Sequence, residues 1–454
     1  MSAYIKNSIN SRIGVLLFAL VFTATSCSKF LDVEPKDSVS DEFTIVDKGS
    51  AETAVRGLYR ALANNGYYGS TFQSNGYLQG DNLDWTDSRT VSLQFIQNNV
   101  RADNEEVASA WTAIYQTINR ANNIIAKIPA VNDGLFTETL KNQLLGEAYF
   151  VRALAYFDLA RTWGGVQIVT TPTTSPTEKF GIPRSSLNDT YAQVLSDLEK
   201  AEPLLPETVN RIRATKKAAY ALRARYHLYR GEWALAETYA AKVIDDAANY
   251  TLIKPYNSFF ANNATNTKES ILELAYSATN TNSHRAQWQP GQNGGTRRWA
   301  PSAAFIALVN DPLVGGNRSS MVAKSSGGEW YGNMYYRSPA TDPAYILRIA
   351  EIYLIRSEAR ANLEKYDLAL ADLNEVRKRA DLIPSAAAGK TAILLAIENE
   401  RRLEFAFEPH RWYDLVRTGR AAAVKGVTDT KKYILPIPVN ELNVDPSLKQ
   451  NEGY

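Results

Sequence analysis

The stretch that decides the fold runs from Glu400 to Arg420 and reads ERRLEFAFEPHRWYDLVRTGR. Proline disfavours helical geometry in the residue before it, so we expect one helix to stop at Pro409. A second, shorter helix should follow and close at Gly419, because glycine accepts the left-handed conformation that ends many helices. The sequence therefore predicts two helices that meet at a corner.

The same stretch alternates carboxylates with arginines. Glu400, Glu404 and Glu408 lie four residues apart, and on a helix they would form a stripe of like charge. The arginines available within the stretch to neutralise the stripe are Arg401, Arg402, Arg411 and Arg417. Together with the apolar side chains between them, these residues predict a half-buried ion network. Because no nucleophile or metal-binding cluster accompanies the charges, we expect a structural role and not a catalytic one.

The order Glu-Arg-Arg-x-Glu-Phe, followed by Glu-x-His-Arg-Trp-Tyr-Asp-Leu-Val-Arg, begins at Glu400. It resembles the C-terminal signature of the SusD/RagB family, the surface lipoproteins that capture nutrients for import across the outer membrane. Pro409 departs from the family pattern, which usually has glycine at this position. The resemblance continues at 31–35 (LDVEP), 118–125 (INRANNII), 161–172 (RTWGGVQIVTTP) and 433–454.

The start of the chain has the pattern of a secretion signal. Lys6 and Arg12 precede an apolar run at 13–22 that is too short to span a bilayer, so we interpret 1–26 as a signal peptide. Cys27, the only cysteine, follows Ala-Thr-Ser and resembles a bacterial lipobox, which predicts lipidation there. The alternative is a spare thiol in a discarded leader. Acyl chains on Cys27 would hold the protein on a membrane.

The composition is that of a folded globular protein, with 45% hydrophobic and 22% charged residues. Fifty basic and forty-eight acidic side chains give a net charge of +2 without a strong basic block. Nucleic acid is therefore not an expected partner. Eight tryptophans and twenty-five tyrosines favour either extensive helix packing or a surface that binds ligands by stacking.

Apolar periodicity predicts a mostly α fold, a tetratricopeptide-like scaffold of helical pairs with long irregular loop regions and few short strands. We expect helices at about 46–62, 105–128, 139–163, 186–201, 214–230, 232–247 and 345–363, followed by one that starts near 365. Gly231 alone joins two of them, so those two must pack antiparallel. Helical pairs need neighbours to cover their apolar faces, so we expect one continuous domain over 27–454.

Two regions, 64–99 and 277–342, do not follow the helical pattern and are rich in aromatic residues, glycine and polar side chains. Loops of this length in a compact protein are usually functional. Aromatic rings can stack on the C–H faces of sugars, and neighbouring polar groups can bind the hydroxyls. The candidate ligand-binding residues are Tyr67, Tyr77, Asp81, Trp85, Trp288, Arg297, Trp299, Trp330 and Tyr331. For each aromatic residue the alternative is packing of the loop onto the scaffold.

Enzyme signatures are absent from the sequence. There is no His-Glu-x-x-His motif and no Gly-x-Ser-x-Gly motif, and His227, His284 and His410 stand isolated. We therefore expect no catalytic residues, no metal site and no cofactor.

The resemblance implies a lipid-anchored outer-membrane protein that faces the cell exterior. Such a protein would bind an oligosaccharide and deliver it to a SusC-like, TonB-dependent transporter. Two alternatives stay open at this point: a peptide-binding importer of the same family, and a helical-repeat scaffold that only docks protein partners.

Overall fold

The structure is a computed structural model that describes residues 44–175 and 177–454. The predicted signal peptide at 1–26, the lipidation candidate Cys27 and the segment after it lie outside the described residues. Residues Ile45–Tyr454 form one compact unit.

Helices dominate the described chain, as the sequence predicts. They are α1 (Lys48–Leu62), α2 (Thr71–Leu78), α3 (Thr90–Ile96), α4 (Glu105–Lys127), α5 (Glu138–Trp163), α6 (Leu187–Leu204), α7 (Lys216–Arg230), α8 (Trp233–Ile244), α9 (His284–Trp288), α10 (Ala303–Asn310), α11 (Ile349–Asn362), α12 (Tyr366–Arg379), α13 (Gly389–Glu404), α14 (Arg411–Arg417), α15 (Ala421–Lys425) and α16 (Val439–Val444). The strands are β1 (Leu83–Trp85), β2 (Ser270–Leu274), β3 (Trp299–Pro301), β4 (Val322–Lys324), β5 (Trp330–Gly332) and β6 (Ala344–Arg348). They pair antiparallel as β1–β3, β2–β6 and β4–β5.

The long helices stack in a continuous series. Helix α1 packs on α4, α4 on α5, α5 on α6, α6 on α7, α7 on α8, α8 on α11, and α11 on both α12 and α13. Gly231, with φ +68°, ends α7 and lets α8 return antiparallel, which confirms the predicted helical pair. Every residue from 150 to 163 on α5 is buried, so this helix is the centre of the scaffold.

The two aromatic regions contain more regular structure than the sequence predicts. Region 64–99 forms α2, β1 and α3, and region 277–342 forms α9, α10 and three short strands. Residues 345–348 also differ from the prediction, because they form the end of strand β6 and not the first turn of a helix. Strand β6 pairs with β2, and that long-range pairing overrides the local helical periodicity.

The corner at Glu400–Arg420 forms, but its first helix ends early. Helix α13 stops at Glu404, and tight turns carry the chain from Phe405 to His410. The prediction that the helix continues to Pro409 is therefore wrong. The second helix, α14, is followed by Gly419 with φ +69°, as predicted.

Pro409 fits the corner through a close contact with α2. A Cβ atom placed on Gly76 would lie 2.8 Å from the Cα atom of Pro409, so the two backbones touch at a point where only glycine fits. The carbonyl oxygen of Pro409 accepts a hydrogen bond from Arg161 Nη1 at 3.0 Å. The departure from the family pattern is thus absorbed by a glycine on the facing helix.

The three carboxylates of the ion network are buried and not half-buried, and the arginines that pair with them come from outside the stretch. Arg377, which pairs with Glu400 at 3.0 Å, lies at the margin of the network and is partly exposed. Arg318 donates to Glu400 at 2.5 Å and to Glu404 at 2.9 Å, and its side chain is 0% exposed. Arg348 donates to Glu404 at 3.0 Å and also pairs with Glu408, and Arg379 contacts Glu404 as well. The arginines of the stretch itself bind elsewhere, since Arg401 and Arg417 pair with Asp414 and Arg402 and Arg411 pair with Asp81.

Candidate functional site

Four of the predicted ligand-binding residues lie in the hydrophobic core. They are Tyr67, Tyr77, Trp288 and Trp299, with exposed fractions of 0%, 0%, 0% and 4%. Tyr67 donates a hydrogen bond to the carboxylate of Asp158 on α5 at 2.7 Å. The rings of Tyr77, Trp288 and Trp299 form one cluster, with centroids 5.5 to 5.7 Å apart. These side chains hold the two aromatic regions together and offer a ligand almost no surface.

Asp81 links region 64–99 to the corner. Its carboxylate accepts from Arg411 Nε at 2.6 Å and lies 3.1 Å from Arg402 Nη2. Burial opposes ionisation of Asp81, but the hydrogen bond and charge of Arg411, with the charge of Arg402, lower its pKa. Its charge is therefore already neutralised within the protein, which favours a positioning role over direct ligand contact.

The remaining predicted aromatics are half-buried, so part of each ring reaches the surface. Trp85 ends strand β1, opposite Trp299 of β3. Trp330 and Tyr331 lie on strand β5, which packs beside β3. Lys324 Nζ lies 5.7 Å from the centroid of the Trp330 ring. The three rings thus lie on neighbouring short strands.

Arg297 orders the loop between these strands. It has a positive φ of +44°, and its Nε donates to the carbonyl oxygen of Trp330 at 2.8 Å. It also pairs with Glu329 at 3.3 Å. The next residue, Arg298, pairs with Asp87 at 2.9 Å. Both arginines are therefore used to join the loop to β5 and to the segment after β1.

A polar cavity of about 450 Å³ lies where the two aromatic regions meet the start of α4. This volume is within the range of small-molecule sites. The lining residues are Asn65, Ser70, Thr71, Ser74, Arg89, Ser92, Glu105, Glu106, Ser109, Ser283, Gln287, Arg298 and Trp299. Segments more than two hundred positions apart in sequence therefore form one site.

Hydroxyl, amide and carboxylate groups dominate the lining, and its formal charges balance. Arg89 and Arg298 are opposed by Glu105 and Glu106. Burial raises the pKa of Glu106, although a hydrogen bond from Ser92 at 2.7 Å to its Oε1 favours the charged form. Glu106 Oε2 has no hydrogen-bond partner within the described part of the chain. This arrangement suits a neutral ligand with many hydroxyl groups.

Most of the lining was not predicted from the sequence. Ser70 and Ser74 are four residues apart and Thr71 lies between them, so they put hydroxyl groups on one side of α2. That spacing was the signal in the sequence that could have indicated the cavity lining. It is not specific, because serine and threonine are common in any exposed segment. Of the predicted site residues, Trp299 lines the cavity, and Trp85 is its partner on the neighbouring strand.

Across residues 44–175 and 177–454, no group of three or more His, Cys, Asp or Glu side chains has the geometry to hold a metal ion. Within the same residues, no helix combines the length and apolar character needed to cross a membrane.

The described chain thus combines a helical-repeat scaffold with a polar cavity and with half-buried aromatic rings on short strands. Residues 29–228 match a family model described as "Starch-binding associating with outer membrane", and residues 317–454 match the model of the SusD family. The chain belongs to the SusD/RagB family. The resemblance found in the sequence is thereby confirmed, as is the predicted fold class.

Relatives match over almost the whole chain. A SusD-like protein of Formosa agariphila is 26% identical over 520 residues, covering 99% of this chain and 100% of the relative. The crystal structure of a SusD superfamily protein from Bacteroides vulgatus has a TM-score of 0.81 at 23% identity and covers 89% of this chain and 99% of its own. The structure of a laminarin-binding SusD-like protein has a TM-score of 0.78 at 23% identity and covers 90% of this chain and 100% of its own. At these identities the solved structures establish the shared fold.

Proposed function

We propose that the protein binds oligosaccharides in the polar cavity between regions 64–99 and 277–342. The observation that carries the proposal is the lining of that cavity, in which hydroxyl, amide and carboxylate groups from three separate segments converge. The family description as starch-binding and the laminarin-binding neighbour support a glycan ligand.

The half-buried rings lie on β1 and β5, the two strands that contact the β3 strand of Trp299, and they provide stacking surfaces. Trp85, Trp330 and Tyr331 each present part of a ring, and flat apolar faces pack well against the C–H faces of sugars. A chain of sugar units would extend from the cavity across these rings. In this arrangement the cavity binds hydroxyl groups and the rings align the rest of the chain.

The arginines near the site favour a neutral glycan over an acidic sugar or a peptide carboxylate. Arg297 is paired with Glu329, and Arg298 is paired with Asp87. Arg285 donates to the carbonyl oxygens of Asn293 and Tyr336. Since each guanidinium already has an ion-pair or hydrogen-bond partner, an anionic ligand would have to compete with that partner.

Family membership supports the remaining steps of the proposal. The protein would be anchored by lipid at Cys27 on the outer face of the outer membrane. It would deliver its oligosaccharide to a SusC-like, TonB-dependent transporter. The proposal contains no catalytic step, and hydrolysis of the glycan would belong to separate enzymes.

Calorimetric titration tests the ligand class. A form of the protein without residues 1–27 keeps the whole compact unit Ile45–Tyr454, and we would titrate it with neutral oligosaccharides, uronic-acid oligosaccharides and peptides. Trp330→Ala and Trp85→Ala should each weaken binding of the neutral sugar by at least about fivefold, the equivalent of about 1 kcal/mol. Trp233→Ala is the matched control, because this half-buried tryptophan on α8 lines a different cavity.

Ser109→Phe tests the cavity itself. Ser109 is exposed at the cavity wall, so a phenyl ring there should occupy the space without disturbing the core. We expect it to reduce sugar binding while the melting temperature stays the same. Heat from peptides with none from any sugar would exclude the proposal in favour of a peptide importer.

Cell fractionation tests the anchor. Cys27→Ala should release the protein from membranes, because the acyl chains that bind it there could no longer be attached. Unchanged membrane association of this variant would refute lipidation at Cys27.

A further inference from the structure

A second cavity is larger than the polar one. It has a volume of about 680 Å³ and lies between the α7–α8 turn, α11, α13 and the corner helix α14. It shares no lining residue with the polar cavity. Its floor and walls include Leu228, Trp233, Leu394 and Leu395, and Leu395 is 45% exposed. A ligand for this cavity therefore needs an apolar part.

The acidic side chains that line this cavity are all neutralised by arginines that also line it. Asp414 pairs with Arg401 at 2.7 Å. Glu358 pairs with Arg417 at 2.6 Å. Glu398 pairs with Arg420 at 2.9 Å. These pairs leave no free negative charge in the lining.

Two cations at the rim remain unneutralised. Lys390, exposed on the first turn of α13, has no carboxylate within 4.0 Å in the described chain. Arg230, exposed at the end of α7, donates only to the neutral side-chain oxygen of Asn188 at 3.0 Å. The five basic and three acidic lining residues therefore give the cavity a net formal charge of +2.

Two polar atoms of the cavity residues lack a hydrogen-bond partner in the described chain. Nη1 of Arg401 and Oη of Tyr229 are buried and have no hydrogen-bond partner within the described residues. Arg401 is 3% exposed, so its unused N–H groups are shielded from bulk water. A buried donor without an acceptor is destabilising, and a carboxylate in the cavity would supply a nearby negative charge and an acceptor.

We propose that this cavity binds an acidic, partly apolar peptide segment of a partner protein, with Lys390 and Arg230 facing its carboxylates and Leu395 and Trp233 packing against its apolar side chains. Charge complementarity favours this occupant over a neutral sugar, because a neutral sugar would not neutralise the excess positive charge of the cavity. A second copy of the chain carries a net charge of +2, so charge complementarity does not favour it as the occupant.

A fluorescence-anisotropy titration tests the proposal. The probe is a labelled dodecapeptide that alternates leucine with aspartate and glutamate, beside the same peptide with lysine at every acidic position. The acidic peptide should bind and the lysine peptide should not, and the affinity should fall as salt is added. Arg230→Glu combined with Lys390→Glu should weaken binding by about tenfold or more, because each reversal removes an attraction and adds a repulsion.

Lys268→Glu is a control for charge reversal at a single remote site, since Lys268 is exposed, has no ion pair within the described residues and does not line the cavity. Leu395→Ala tests the apolar part and should also weaken binding, with an unchanged melting temperature because the side chain is half outside the fold. The proposal is overturned if the acidic peptide fails to bind, if it binds the double variant as tightly as the parent, or if the lysine peptide binds equally well. Concentration-dependent dimer formation abolished by the double variant would also overturn it, since the occupant would then be a second copy.

Discussion

Replacing Glu404 by glutamine tests how the buried ion network stabilises the fold. Glu404 is 1% exposed and accepts hydrogen bonds from Arg318 at 2.9 Å and from Arg348 at 3.0 Å, with a further contact to Arg379. Glutamine keeps the shape but removes the negative charge that these guanidinium groups share. Breaking a buried ion pair by removing one partner costs about 3–5 kcal/mol. Over about 400 residues this corresponds to a fall in melting temperature of about 4–6 °C.

The pKa of Glu404 gives a second, independent measure of how much its charge stabilises the fold. Burial alone would raise this pKa, but the charges of Arg379, Arg318 and Arg348 outweigh burial and lower it from 4.5 to about 2. A lowered pKa means that the stabilisation is complete above pH 4.5 and is lost as the pH falls toward 2. The full difference corresponds to about 3 kcal/mol, of which about 1 kcal/mol is lost at pH 4 and about 2 kcal/mol at pH 3.

Urea unfolding of the parent and of Glu404→Gln at pH 7, 4 and 3 measures both magnitudes. The variant should be less stable by at least about 3 kcal/mol at pH 7, and the gap should narrow by about 1 kcal/mol at pH 4 because protonation removes the same charge in the parent. Glu452→Gln is the control, since Glu452 is 81% exposed and should change the stability by less than about 0.5 kcal/mol. A gap below 1 kcal/mol at pH 7, or a gap that does not change with pH, would refute the argument.

Three other perturbations have expected outcomes. Burial lowers the pKa of His284 from 6.5 to about 4, so the neutral imidazole is favoured in the folded protein. The folded protein should therefore lose about 2 kcal/mol of its free energy of unfolding between pH 6.5 and pH 5. Urea unfolding of His284→Gln should not show this loss of stability. Gly76→Ala should lower the free energy of unfolding by about 1–3 kcal/mol, because the new Cβ atom would meet the backbone of Pro409. Gly134→Ala is the control and should leave the free energy of unfolding unchanged, because no atom lies within 4 Å of its new Cβ atom. Trp299→Ala should cost about 3–5 kcal/mol in thermal or urea unfolding, and a loss below 1 kcal/mol would mean that its ring is not part of the core.

The helical scaffold was predictable because its signals are local. Apolar residues at helical spacing indicated α4 and α5 within about one residue at each end. The single glycine at 231 predicted the antiparallel pair α7–α8, and Gly419 predicted the end of α14. Each of these features depends on a few consecutive residues, so the local sequence pattern is sufficient to predict it.

The pairing of charges and the core positions of the tryptophans depend on distant parts of the chain. Arg318 binds Glu404 from 86 positions away, and no spacing within the stretch points to it. Trp288 and Trp299 are candidate ligand-binding residues in the sequence, with packing onto the scaffold as the alternative, because no helical periodicity accounts for them. They are buried because their rings pack against each other and against Tyr77. Such a cluster depends on how the rings fit together in three dimensions and not on the spacing of residues along the chain.

The corner at Glu400–Arg420 joins the helical scaffold to the two regions that line the polar cavity. Arg348 at the end of β6 and Arg318 in region 277–342 both bind Glu404 at the end of α13, while Asp81 of region 64–99 binds Arg411 of α14. Buried ion pairs contribute little net stability compared with apolar packing, but they tolerate only one relative orientation of their partners. An apolar contact would allow the two regions to slide on the scaffold, whereas these pairs fix their positions. Because the cavity is formed from both regions, its shape depends on the corner, although none of the corner's residues lines it.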